Sequence, residues 1–134
     1  MFTPSRDRGA SAVEFALVLP ILLLLVLGII EFGRAYHLQT TLSNAARDGV
    51  RVMALENSVS AARSTAKASA QPLNLSDSQM VFTNERDQVI DDCTTTSEPG
   101  TVSMTIEYPF ALVSGFLPIG DITLTGKGSM RCLG

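Results

Sequence analysis

The sequence predicts an α+β chain. A long N-terminal helix crosses a membrane, continues into an amphipathic half, and packs there on a small antiparallel sheet, giving a lollipop outline. Three observations carry this. Phe15 to Ile30 reads FALVLPILLLLVLGII, sixteen residues with no charge and no side-chain hydrogen-bonding group. Beyond it, apolar residues recur at intervals of three and four, the helical period. The C-terminal half instead alternates apolar and polar residues between Asp-, Gly- and Pro-rich turns, as half-buried strands do.

Extending the apolar run back to Val13 gives eighteen positions interrupted only by Glu14. At about 1.5 Å per residue they span roughly 27 Å, against a hydrocarbon core of about 30 Å. A buried core helix is the alternative, but the rest of a 134-residue chain could not easily wrap a helix apolar on every side. A removable secretory signal fits poorly. Glu31, Phe32, Gly33 and Arg34 follow the run with no A-x-A site, and no cysteine follows for a lipid anchor. Retention predicts a single-pass protein of the cell membrane. Arg6 and Arg8 put its N-terminus in the cytoplasm by the positive-inside bias, so the bulk of the chain is exported. Pro20 removes one backbone bond and predicts a helix kink, which membrane helices tolerate. An ordinary kinked span and a local melt that helps the helix leave the bilayer both accommodate it.

Past the span, Leu38, Leu42, Ala45, Ala46, Gly49, Val50 and Met53 form one face, while Arg34, Gln39, Arg47, Asp48 and Arg51 keep to others. One helix is therefore expected from Ala10 to Leu55, roughly 69 Å long. Its transmembrane part covers about 13–30 and its amphipathic, extracytoplasmic half 31–55. Residues 56–134 form the extracytoplasmic α+β domain. The Ala-rich run 60–71 predicts a second short helix ended by Pro72. Strands are expected at 79–83, 101–108 and 121–132, with Val102, Met104, Ile106 and Tyr108 on the buried face of the second. The connection 109–120 (PFALVSGFLPIG) carries Phe110, Leu112, Val113, Phe116, Leu117 and Ile119, too many apolar residues for a solvated loop. Either it folds over the core, or it offers a sticky surface to a partner subunit or the membrane.

Several functions are disfavoured. With 10 Lys+Arg against 13 Asp+Glu the formal net charge is −3, which argues against a nucleic-acid partner. One histidine, His37, and two cysteines leave too few soft ligands for a closed zinc site. His37, beside Tyr36, is expected at a surface or interface. Asp91, Asp92 and Glu98 lack EF-hand spacing and predict a solvated acidic loop. Gly126-Lys127-Gly128-Ser129 lacks the upstream glycine of a phosphate loop. No catalytic residue, metal, cofactor or small-molecule substrate is expected. Cys93 and Cys132 both fall in the exported half, where oxidising surroundings favour a structural disulfide. A redox pair is the poorer explanation, without C-x-x-C spacing, though Arg131 beside Cys132 keeps it open.

An acidic residue at the head of an apolar run is a functional hypothesis by default; the alternative puts Glu14 at the membrane interface, where it costs little. The string RGASAVEF places Glu14 fifth after Gly9 behind a basic leader. It resembles the type IV prepilin processing site. The longer RGASAVEFALVLPILLLLVLGIIEFGRAYH, with AARDGVR at 45–51, is similar to the TadE-like family of minor pilins (pseudopilins) of tight-adherence, Flp-type pilus systems. The likeness covers residues 8–50, with a weaker echo in TVSMTIEYPF and ITLTGKGSMR.

The resemblance implies a pilin-like fold in which residues 1–9 are a cytoplasmic leader. A membrane aspartyl prepilin peptidase would cleave after Gly9 and free the amine of Ala10. That amine, largely protonated at neutral pH, stands one helical turn from Glu14 and could offset its cost in low dielectric, setting axial register within or between subunits. Implied partners are an inner-membrane Tad platform, a secretion ATPase, a major pilin and other minor pilins, in attachment, biofilm or export. The alternative is a bitopic binding module that keeps its N-terminus and presents its sheet to an extracytoplasmic ligand.

Overall fold

The computed structural model describes residues 6–93, 100–113, 115 and 120–133. One helix, α1, runs from Arg6 to Glu56, 51 residues without a break at Pro20. It starts before Ala10, so Gly9 lies inside it. A helical glycine costs only about 1 kcal/mol, which a long continuous helix absorbs. The most apolar eighteen-residue window of α1 has a mean hydropathy of 2.9, and none of it is buried. This is the only helix among the described residues long and apolar enough to cross a membrane.

Asn57, at φ 49°, ends α1. Asparagine tolerates this left-handed conformation better than most residues. Its N–H still donates to Met53 O at 3.0 Å. Ser58 then caps α2 (Val59–Ser69), its hydroxyl accepting from the Ala61 N–H. The second helix doubles back along α1, so that Ser69 Oγ donates to Asp48 Oδ2 at 2.6 Å. The contact is close because the residues are small: a Cβ on Gly49 would lie 3.1 Å from both Ala62 O and Ala66 Cβ.

Three strands follow: β1 (Met80–Thr83), β2 (Thr101–Phe110) and β3 (Ile122–Arg131). They form an antiparallel sheet in the order β1-β2-β3. Gln79, expected in the first strand, belongs to a 3₁₀ turn at Asp77–Gln79. After β1 the chain returns through a turn at residues 84–88, where Asn84 Oδ1 accepts from the Arg86 and Gln88 N–H groups. A bridge then pairs Thr83 with Val89, a return that the sequence reading did not anticipate.

The expected second strand stopped before Pro109, but β2 runs through it to Phe110. The register explains why. Cys132 N–H donates to Gly100 O at 2.8 Å, so the hydrogen-bonded β2–β3 pairs are the even ones, through Phe110↔Ile122. Pro109↔Thr123 falls between them, and the missing N–H points away from β3, past the end of β1.

The core lies between α1, α2 and one face of the sheet. Leu42, Ala45, Ala46, Val50 and Met53 meet Val102, Met104, Ile106, Met80 and Phe82, each at most 2% exposed. Full burial of such Leu, Met or Phe side chains contributes about 1.5–3 kcal/mol each. Cys93 and Cys132 are bonded to each other and close the domain, 39 residues apart with Cα atoms 5.5 Å apart. The chain-entropy model gives such a loop about 4 kcal/mol.

Candidate functional site

The sequence points to the N-terminal stretch of α1. There Gly9, Ala10 and Glu14 are exposed on continuous helix, with Ala10 and Glu14 one turn apart on one face. Residues 9–27 are all exposed among the described residues. From Val13 to Ile30 every Leu, Ile, Val and Phe side chain is exposed, Leu19 least at 37% and Leu17 most at 69%. An apolar rod bare on all sides fits hydrocarbon or other apolar helices and is costly in water. Pro20 sits within this bare stretch.

Where the apolar run ends, the structure builds a feature that the sequence reading missed. Glu31 is 7% exposed, although it directly follows the bare run that ends at Ile30. Its Oε1 accepts a hydrogen bond from the Val113 N–H at 2.7 Å. Arg34, one turn later, reaches Glu31 Oε2 at 3.6 Å and donates through Nη2 to Ala111 O at 3.1 Å. Its guanidinium also lies 4.7 Å from the centre of the Phe110 ring. Together these contacts tie residues 110–113 to the top of the span. Glu31 reads in sequence only as a residue that closes an apolar run, and Arg34 also as part of a polar face; the sole local signal of their pairing is an acidic and a basic residue spaced i,i+3.

The expected polar face is corrected at two positions. Arg34 holds residues 110–111, and Gln39 Nε2 donates to Thr125 O on β3, so both turn toward the sheet side. Arg47, Asp48 and Arg51 are exposed, as is His37. In the connection 109–120, Phe110 is buried while Val113 is 78% exposed. Phe116, Leu117 and Ile119 lie outside the described residues, as does Glu98 of the acidic loop.

The GKGS segment has a packing role. A Cβ on Gly126 would lie 2.4 Å from the Leu42 carbonyl carbon, and one on Gly128 2.8 Å from that of Ala46. These glycines let β3 approach the backbone of α1. Elsewhere, Lys67 Nζ meets Asp77 Oδ1 at 2.7 Å, and this bond with its charge holds the Asp77 carboxyl below the ordinary aspartate range. Among the described residues no three His, Cys, Asp or Glu side chains cluster as metal ligands would.

The comparisons agree with the N-terminal half of this picture. A family model described as TadE-like protein matches residues 9–51, which run from Gly9 to Arg51 of α1. No curated protein and no solved structure matches the chain.

Proposed function

We propose that the chain, whose residues 9–51 match the TadE-like family model, is a minor pilin or pseudopilin of a Tad pilus system. In this reading it is a non-enzymatic assembly subunit of pilus biogenesis and adhesion. The observation that carries the reading is an apolar stretch of α1 bare on every side with Glu14 near its head. A carboxylate there is costly in hydrocarbon unless a cation meets it. Cleavage after Gly9 would create that cation at Ala10, one turn away, on this chain or its neighbour. Gly9 is helical here. A peptidase cleft takes an extended peptide, and glycine unwinds from a helix at little cost.

The proposed partners are a prepilin peptidase, the inner-membrane Tad platform, a major pilin and other minor pilins. The disulfide-closed domain then lies outside the cytoplasm. The test is N-terminal sequencing or intact mass of the membrane-extracted protein. Ala10 first supports maturation. Met1 or Phe2 first overturns it in favour of a bitopic binding module that never joins a filament. Gly9→Leu is expected to leave the leader attached.

A further inference from the structure

We infer that Val113 of the β2–β3 connection, with Phe32 and Tyr36 of α1, forms a second membrane contact that seats the domain on the lipid interface. The inference rests on reading α1 as a single-pass membrane anchor. It goes beyond that reading by assigning lipid contact to the domain itself.

The argument is one of depth. Ile30 is the last residue of the apolar run, and Glu31 rises only about 1.5 Å further along the axis. The Val113 nitrogen lies 2.7 Å from Glu31 Oε1, and Ala111 O lies 3.1 Å from the Arg34 guanidinium. The backbone at 111–113 is therefore pinned at the level where the hydrocarbon of a spanned bilayer gives way to headgroups. Val113 is 78% exposed there, so its side chain has no place in the domain core.

On another flank of α1, Phe32 and Tyr36 are 75% and 69% exposed. One turn apart, they share a face of the helix, which Ile29 continues into the span. Tyrosine is enriched at this layer because its amphipathic ring sits at the headgroup level, which suits Tyr36, while the apolar ring of Phe32 stands nearer the hydrocarbon. Lipid is the occupant that geometry supplies without further assumption. An outward-facing group at the height of residues 30–31 meets the interface whenever the helix spans.

The test uses the full chain in vesicles of mixed zwitterionic and anionic phospholipid. A polarity-sensitive fluorophore is attached at V113C, at V89C on the sheet, or at L23C within the span. Cys93 and Cys132 are bonded to each other and do not compete for the label. Val113 and Val89 are both exposed, so neither label challenges folding. The V113C label is expected to be quenched by lipid spin-labelled near the headgroup about twofold or more above the V89C label, and shielded from aqueous iodide. Equal quenching at V113C and V89C, with L23C quenched by lipid spin-labelled at mid-chain, overturns the inference and leaves the anchor standing. Shielding from iodide without lipid quenching also overturns it, and assigns the site to a protein partner. An L23C label untouched by lipid overturns the anchor and the inference together.

Discussion

Glu31 accepts a hydrogen bond from the Val113 N–H at 2.7 Å across 82 residues of sequence, and so joins the end of the apolar span to the start of the β2–β3 connection. With Arg34 it makes a clasp whose members are a carboxylate, a guanidinium, two backbone groups and an aromatic ring. A membrane helix that merely carried a domain would need no such attachment. This one restricts how the domain can tilt over the span.

Replacing Glu31 by alanine removes the acceptor for Val113 N–H and the partner of Arg34. Leaving groups of this kind unsatisfied costs about 1–3 kcal/mol. Among the described residues the clasp holds 110–113, so the loss is expected as local opening there, with the sheet intact. Amide exchange at Val113 should accelerate roughly tenfold or more in Glu31→Ala, while exchange at Met104 stays unchanged. Glu31→Gln keeps an acceptor oxygen and should fall between the two. Unaltered exchange at Val113 in the alanine variant would show that the clasp carries no load.

The close approach of β3 to α1 gives a second prediction, with a sign that separates packing from propensity. In a strand, glycine to alanine normally stabilises, since glycine loses more backbone freedom and packs no side chain. At Gly126 the added Cβ would lie 2.4 to 2.7 Å from three atoms of Leu42, two of them backbone. Overpacking of this kind costs about 1–3 kcal/mol. Gly126→Ala and Gly128→Ala are therefore expected to lower the urea midpoint of the detergent-solubilised chain. Gly120→Ala, with open space around it, should not. A midpoint for Gly126→Ala at or above that of the parent would mean that strand and helix separate freely.

These two features also mark where sequence reasoning stopped. The helix was legible because apolarity and period are local properties: an uncharged run, then Leu42, Ala45, Ala46, Gly49, Val50 and Met53 at helical spacing. The buried face of β2 was legible for the same reason, at period two. The clasp was not, because a side chain bonding a backbone N–H far along the chain leaves no periodic trace. Gly126 and Gly128 were visible, but a strand glycine signals close approach without naming what approaches. Pro109 misled because its tolerance depends on strand register, which appears only once β2 and β3 are paired.

Lys67 and Asp77 provide the pH-dependent prediction. The hydrogen bond and charge of Lys67 depress the Asp77 pKa in the folded state. A depressed carboxylate stabilises the fold fully above its unfolded pKa, and that stabilisation is lost as pH falls through the folded value. The pair is solvent-exposed, so the effect is modest and weakens with salt. Carboxyl chemical shifts followed by NMR should show Asp77 titrating below the ordinary aspartate range. Lys67→Ala should return it upward. An Asp77 titration unmoved by that substitution would remove Lys67 as the cause.

The last prediction concerns Glu14, where the proposed assembly role is most exposed to failure. Glutamine preserves the shape of glutamate and its helix propensity but cannot carry charge, so Glu14→Gln isolates the ionic term. If an ammonium at Ala10 meets Glu14 in low dielectric, the variant loses that attraction and leaves the cation unmatched. Breaking a buried pair on one side costs about 3–5 kcal/mol, against little at a wet interface. Glu14→Gln should therefore still be processed after Gly9, since the substitution lies outside the scissile bond. Its recovery with co-assembled pilus subunits, measured by crosslinking and sedimentation, should fall about tenfold or more. Normal processing with undiminished co-assembly would place Glu14 at a solvated boundary, and the register of the filament would then need a different determinant.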